Sequence, residues 1–170
     1  ANTTAADNTA LGYQTLLVNT AAETTAVGSG ALKTNTSSTG NTAVGYNALN
    51  LGTGANNTAL GHEAADTVSS GARNTAVGSA SLGAAATVSD NTAVGHNALL
   101  VNVAAQITAV GSGALAALDN ASAVGNTAVG FEALNDANSA TAIGNTAVGH
   151  QAADKVTTGA HNTALGSAAL

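Results

Sequence analysis

Histidines carry the most versatile chemistry available to this chain, which has no cysteine. Imidazole can ligate a metal ion or transfer protons near neutral pH. His62 and His150 follow a glycine at equivalent points of two similar stretches, 61–66 (GHEAAD) and 149–154 (GHQAAD). If these stretches lie five coils apart in a stacked structure, the two side chains are separated by roughly 24 Å, too far to share one metal ion. We therefore predict structural or solvent-exposed histidines, with no metal site and no cofactor.

The acidic residues show no pattern of a catalytic pair. Asp66 and Asp154 adjoin Ala-Ala pairs and are typical of turns. Glu63 and Glu132 come two residues after a glycine and are expected to face water. Hydrolytic sites need carboxylates that converge in a cleft, and regular repeats provide no obvious cleft. We predict that the chain is not an enzyme.

The overall charge excludes further classes of partner. Nine acidic residues against three basic ones give a formal net charge of −6. Phosphate binding needs a basic surface, so nucleic acid and anionic membranes are disfavoured. The longest apolar stretch, 98–110, is interrupted by Asn102 and Gln106 and is too short to span a bilayer. We predict no nucleic-acid binding and no membrane insertion.

The chain is built on one repeated motif, Asn-Thr-Ala-Val/Leu-Gly. Ten copies occur, two of them without the leading Asn, and their glycines are 16 to 19 residues apart. Residues 8–32 also match residues 91–115 at 18 of 25 positions, which divides the chain into two long repeats, 8–90 and 91–170. Such regularity indicates a solenoid. We treat residues 1–170 as a single repetitive domain and expect it to be a window of, or a subunit in, a longer periodic fibre.

This short period favours strands over helices. Helical-hairpin repeats need about 33 residues or more, and a glycine in every copy disfavours helix. The sequence therefore predicts an all-β fold, a parallel β-solenoid of about ten coils stacked about 4.8 Å apart. Alternation along the strand places Thr and Val on one face and Asn, Ala and Gly on the other. We expect Thr and Val to point inward, a corner at the glycine, and a return strand after it.

The opposite face of the predicted strand would present a strip of Ala and Gly. Near-naked backbone of this kind is typical of a surface that another chain approaches closely, which predicts lateral association with cyclic symmetry. We expect the motif asparagines to stack as a structural ladder, each amide bonding to its neighbours above and below. The predicted ladder consists of Asn8, Asn41, Asn57, Asn74, Asn91, Asn126, Asn145 and Asn162.

The residue after each motif glycine varies more than the motif itself. In chain order this residue is Tyr13, Ser29, Tyr46, His62, Ser79, His96, Ser112, Phe131, His150 and Ser167. All three aromatic residues of the chain fall at this position. Two interpretations stay open: corner residues under weak constraint, or contact points for a glycan or a protein. The possible surface-contact residues are Tyr13, Tyr46, His62, His96, Phe131 and His150.

Three segments carry a likeness to a known family: 41–49 (NTAVGYNAL), 91–99 (NTAVGHNAL) and 122–130 (SAVGNTAVG). They resemble the head repeats of trimeric autotransporter adhesins and the similar repeats of phage and viral fibre proteins. The likeness extends over essentially the whole chain, although the coils here are longer than those of the adhesin heads. It implies a left-handed parallel β-roll wound into a homotrimer.

Together these features predict a structural role at an extracellular, cell or virion surface. The expected molecule is a rigid trimeric rod that presents lateral or terminal surfaces for attachment or filament assembly. Its expected partners are other copies of the chain, including end-to-end neighbours, and a cell-surface glycan or protein. The alternative is an ice-binding solenoid that uses an in-register row of threonines, although we expect each Thr to share its face with an inward Val. That row contains Thr9, Thr25, Thr42, Thr58, Thr75 and Thr92.

Overall fold

The strands of the protein are short and regularly spaced. The computed structural model describes residues 5–137, 140–156 and 158–170. In chain order the described strands are β1 (Thr9–Leu11), β2 (Val18–Asn19), β3 (Thr25–Val27), β4 (Thr34–Asn35), β5 (Thr42–Val44), β6 (Thr58–Leu60), β7 (Thr75–Val77), β8 (Thr92–Val94), β9 (Val101–Asn102), β10 (Thr108–Val110), β11 (Ala117–Leu118), β12 (Thr127–Val129), β13 (Thr146–Val148) and β14 (Thr163–Leu165). The strands that coincide with the repeated motif begin at its Thr and end at its Val or Leu.

The ten motif strands form one parallel sheet. Its order is β1-β3-β5-β6-β7-β8-β10-β12-β13-β14, so each strand pairs with the same segment of the preceding and following coil. The register places Thr on Thr, Ala on Ala, and Val or Leu on Val or Leu throughout. Between the first and the last of these strands the chain makes nine turns of about 17 residues. The predicted all-β parallel solenoid is confirmed.

The return side of the coil is less regular than the motif side. Two-residue strands pair there in two places, β2 with β4 and β9 with β11. Between these elements the chain runs through turns, several of them at residues with positive φ, such as Asn47 (50°) and Leu49 (49°). Non-glycine residues adopt this conformation at a cost, so the surrounding backbone bonds must hold them in place. The motif strand is therefore the segment whose conformation repeats most regularly from coil to coil.

The middle residue of the motif strand points into the coil. Ala43, Ala76 and Ala93 are completely buried, whereas the flanking Thr and Val side chains of these strands are partly exposed. The expectation that Thr and Val point inward is therefore wrong, and so is the expected surface strip of Ala and Gly. The interior of the coil is narrow. The small Ala side chain leaves room for a larger side chain from the opposite side of the same coil, whereas Val or Thr in its place would overpack the interior.

That larger side chain is supplied just after the corner. In the coil of β5, Ala48 and Leu49 follow Gly45 and are both completely buried. Equivalent leucines in other coils, such as Leu99 and Leu115, are also buried. The predicted corner at the glycine is present, and it turns the leucine inward. The core is consequently a column of thin Ala and Leu layers.

Candidate functional site

The outward side chains of the ten motif strands form the front face. Thr stacks on Thr in one row, and Val or Leu stacks on Val or Leu in a second row. Neighbouring positions are about 4.8 Å apart along the rod and about 7 Å apart along the strand. Within the single chain, Leu60 is 47% exposed and Val129 is 36% exposed. The front face is thus a regular array of hydroxyl and apolar groups over nine coil spacings, or about 43 Å.

A column of glycines holds these coils close together. Gly95 has φ of 134°, and a Cβ placed there would lie 2.5 Å from the carbonyl oxygen of Gly111 in the next coil. Gly78 makes the same approach, at 2.5 Å, to the oxygen of Gly95. A Cβ atom cannot lie that close to a carbonyl oxygen, so no residue with a side chain fits at these positions. This contact, together with the positive φ, explains why the motif ends in glycine.

The motif asparagines stack inside the coil, next to the ten-stranded sheet. The Oδ1 atom of Asn41 accepts the backbone N–H of Asn57 at 2.8 Å, and Oδ1 of Asn57 accepts that of Asn74 at 2.9 Å. Their Nδ2 groups donate to backbone carbonyls of the following coil, for example from Asn57 to Gly71 at 2.8 Å. Bonds between two side-chain amides also occur, as between Asn74 and Asn57 at 3.1 Å.

The other predicted ladder residues lie in the same column. Asn91 bonds through Oδ1 to the N–H of Ile107, at 2.9 Å, where the motif lacks its Asn. Asn8 does the same with Thr24, also at 2.9 Å. In the second long repeat the stack resumes with Asn126, Asn145 and Asn162, joined by backbone-to-side-chain bonds of 2.8 and 2.9 Å and a side-chain bond of 3.0 Å. The asparagines therefore bond mainly from side chain to backbone, which fixes the register of the coils.

Sequence reasoning did not single out a second set of interior amides on the return side. Asn19, Asn35 and Asn102 are buried. Asn19 donates to the carbonyl of Ala21 at 2.9 Å, and Asn102 accepts the N–H of Ala104 at 2.9 Å. Asn19 and Asn102 share the Val-Asn sequence at equivalent points of the two long repeats, which is a signal that could have found them.

The residues that follow the motif glycines form a second column, the corner column. The carbonyl of each corner residue accepts a hydrogen bond from the following coil. The donor is the backbone N–H of the residue that comes directly after that coil's own corner residue. For example, the carbonyl of Tyr13 accepts the N–H of Gly30 at 2.9 Å, and the carbonyl of Ser79 accepts the N–H of Asn97 at 3.1 Å. These bonds hold the corner positions in register along the rod.

Aromatic and imidazole rings stack where they meet in adjacent coils of this column. The ring centroids of Tyr46 and His62 are 5.2 Å apart with an interplanar angle of 20°. Phe131 and His150 are 5.3 Å apart at 16°. These separations are within the range preferred by ring pairs. Tyr13 is 73% exposed, and His96 is also exposed. Because all the predicted contact residues belong to the corner column, they lie along one edge of the rod.

Charged groups are sparse around the corner column. His62 Nδ1 lies 3.7 Å from Glu63 Oε2. Burial, followed by the nearby Glu63 carboxylate, raises the pKa of Asp66 above its ordinary value. At a different corner, the Arg73 guanidinium makes bonds of 2.6 and 2.8 Å to Asp90 and lowers the pKa of that carboxyl. None of these contacts assembles a nucleophile, a base and an orienting group.

Within residues 5–137, 140–156 and 158–170, no three His, Asp or Glu side chains come together as a metal site. The same residues contain no helix with the length and apolar character needed to cross a membrane.

Comparisons with known proteins return no family model, no curated protein and no solved structure that matches this chain.

The orientation of the front face is what sequence reasoning missed. Alternation alone fixes which residues share a face but leaves open which face is inside. The internal repeats hold the missing signal. The middle strand residue is Ala in every copy, whereas the third is Val or Leu, as in Val44, Leu60 and Val77. A position that never changes volume is expected in a tightly packed interior.

Proposed function

We propose that the chain is a structural segment of an extracellular fibre or adhesin, in which the front faces of three copies pack around a common axis. A left-handed winding and the threefold symmetry follow from the resemblance to trimeric adhesin heads. The resulting rod would present its corner column and its return side outward for attachment. Its localisation would be a cell or virion surface.

The outward row of Val and Leu is the observation that carries this proposal. The row continues through ten coils and is therefore a contiguous apolar patch. On an ordinary soluble surface, exposed apolar residues are mostly scattered singly. Burying it against the same row of other copies removes it from water, and Thr hydroxyls beside it can bond across the interface. Because identical faces meet, closed cyclic symmetry is the expected arrangement.

Mass in dilute solution tests the proposal. One chain is 16.0 kDa, so three chains make 48.0 kDa. We expect light scattering to give the trimer mass for the original chain. Val77→Lys with Val94→Lys places two charges in the apolar row and should give the monomer mass, because buried unpaired charges are costly.

A matched control separates the front face from charge in general. Ala86→Lys with Val101→Lys adds the same charges to the same two coils, at positions exposed on the return side. This control should remain trimeric. A monomeric original chain, or equal dissociation of both variants, would contradict the proposed interface.

Ice binding is a second candidate, supported by the same rows. The expected objection, that each Thr shares a face with an inward Val, is wrong, because both side chains point outward. Regular hydroxyl and methyl groups can order water across a flat surface. A thermal-hysteresis measurement on the chain, with Thr75→Lys and Thr92→Lys as the disabled variant, tests it. Hysteresis in a monomeric chain would favour ice binding over the trimeric rod.

A further inference from the structure

We infer that the corner column contains three binding sites for neutral glycans, the corner slots, each one coil wide and bounded by rings on both sides. The inference rests on the proposed attachment function and names its ligand class. The serines at the slot floors are Ser29, Ser79 and Ser112. The flanking rings belong to Tyr13 and Tyr46, to His62 and His96, and to His96 and Phe131, respectively.

The width of a slot follows from the coil spacing. Rings in adjacent coils are 5.2 and 5.3 Å apart, as measured for the two stacked pairs. Rings that flank a serine are two coils apart, so their positions are separated by roughly 10 Å. A flat group placed midway would lie about 5 Å from both rings, which is a normal stacking separation. A slot therefore admits one six-membered ring, stacked on both faces.

The register of the slots is fixed by backbone hydrogen bonds. For the slot over Ser79, the N–H of Ala80 bonds to the carbonyl of His62 at 2.9 Å, and the N–H of Asn97 bonds to the carbonyl of Ser79 at 3.1 Å. The slot over Ser112 is held in the same way, by bonds of 3.0 Å from Gly113 and Glu132. The floor and both walls thus belong to one continuous ladder.

The next residue along the chain shows a matching pattern. Each serine of the corner column is followed by a residue with little or no side chain, as in Ser29-Gly30 and Ser79-Ala80. Each ring is followed by an amide or a carboxylate, which gives Gln14, Asn47, Glu63, Asn97, Glu132 and Gln151. Every slot is therefore two residues wide, with ring faces on one half and hydrogen-bonding groups on the other.

Those polar groups reach the slots. A Cβ on Gly30 would collide with Oδ1 of Asn47, and a Cβ on Gly113 would lie 3.2 Å from Cγ of Glu132. The amide and the carboxylate therefore extend over the small residues of the neighbouring coil. A pyranose has an apolar C–H face that stacks on rings and peripheral hydroxyls that bond to amides and carboxylates. The two halves of the slots over Ser29 and Ser112 match these two features. Asn47 and Glu132 accept bonds from Asn50 and Gln151, at 3.0 and 2.8 Å, and a carboxylate or an amide oxygen has capacity for a further bond.

Charge restricts the ligand to neutral sugars. No Lys or Arg occurs at the corner position or at the residue after it in any of the ten coils, and the chain carries a net charge of −6. Glu63 and Glu132 also adjoin two of the slots. An anionic sugar would meet an uncompensated negative field.

Binding to immobilised oligosaccharides tests the inference. The probes are lactose, cellobiose, maltose and N,N′-diacetylchitobiose, with sialyllactose as the anionic comparator. We expect binding to at least one neutral probe, and binding to lactose stronger than to sialyllactose. Binding to no neutral probe, or stronger binding to sialyllactose, would overturn the inference.

Two variants test the location. The filled variant (Ser29→Tyr, Ser79→Tyr and Ser112→Tyr) occupies all three slots with rings at stacking distance. The open variant (Tyr46→Ser and His96→Ser) removes one wall from every slot. Each should lower apparent affinity by about tenfold or more, because stacked rings dominate such contacts and several slots act together. Unchanged affinity in either folded variant would overturn the assignment.

A control variant and a mass measurement complete the design. Ser37→Tyr, Ser70→Tyr and Ala86→Tyr add three rings at exposed positions on the return side and should leave affinity within about twofold. Mass is measured on every sample. A trimer that binds no neutral glycan defeats the corner slots but leaves the proposed rod intact. A monomeric chain defeats the rod through a different readout.

Discussion

At the scale of single residues, the motif glycine is fixed by the coil above it. Gly95→Ala would place a methyl group 2.5 Å from the Gly111 carbonyl oxygen at φ of 134°. We expect a loss of more than about 2 kcal/mol in the free energy of unfolding, measured by urea denaturation.

Gly113→Ala is the matched control for this prediction. Gly113 has φ of 68° and meets only a side-chain carbon at 3.2 Å, and the equivalent residue in another coil is already Ala80, with φ of 52°. A loss of about 1 kcal/mol is expected. Equal losses for the two variants would show that the stacked carbonyl is not the cause.

The two long repeats provide a residue-scale test of pH dependence. Burial and the nearby Glu63 raise the pKa of Asp66, so the stability associated with this group is present below the ordinary Asp pKa and lost as pH rises through the raised value. Glu63→Gln copies the second repeat, where Gln151 precedes Asp154. The variant should have a higher Tm than the original at neutral pH.

The difference should disappear in acid, where both carboxyls are protonated. Thermal unfolding followed between about pH 3 and pH 8 measures it. Glu23→Gln, at an exposed corner, is the control for a general change in net charge. A gain that persists unchanged at the acidic end would contradict the electrostatic explanation.

At the scale of the strand, the side that faces inward decides which substitutions are tolerated. Ala93 is completely buried and Val94 is partly exposed in the same three-residue strand. Ala93→Val should cost about 1–3 kcal/mol through overpacking. Val94→Leu also adds carbon but should change stability by less than about 0.5 kcal/mol, because Leu60 and Leu165 already occupy this position in other coils. Chemical denaturation measures both, and the reverse ranking would contradict the inward alanine.

Sequence periodicity predicted the motif strand but not its orientation. The parallel stacking and the corner glycine follow from the spacing of repeats, because each coil must place the same residues above one another. Orientation depends on the volume inside a coil, which is a property of the closed turn rather than of any one strand. The sequence also identified the corner residues and predicted the coil spacing, but the stacking of neighbouring rings, such as Tyr46 on His62, depends on side-chain orientation and needed the structure.

At the scale of the whole molecule, each described strand contacts only the matching strands of the adjacent coils. β7 and β8 lie in the middle of the sheet, whereas β1 and β14 are its first and last strands in the part of the chain that the structure describes. Amide hydrogen exchange should therefore be slowest in the central strands and should become faster toward both ends. Mass-spectrometric exchange measures this gradient. Uniform protection along the rod would contradict a nearest-neighbour stack.

The hydrogen bonds of the front sheet run along the rod, because its strands are successive coils. Tension applied to the two ends acts directly on these bonds and separates one coil at a time. A coil of about 17 residues contributes about 4.8 Å to the folded length but roughly 60 Å as extended chain. Releasing a single coil thus more than doubles the end-to-end distance of about 43 Å. Under load we therefore expect a single chain to lengthen in steps of one coil and to dissipate work at each step.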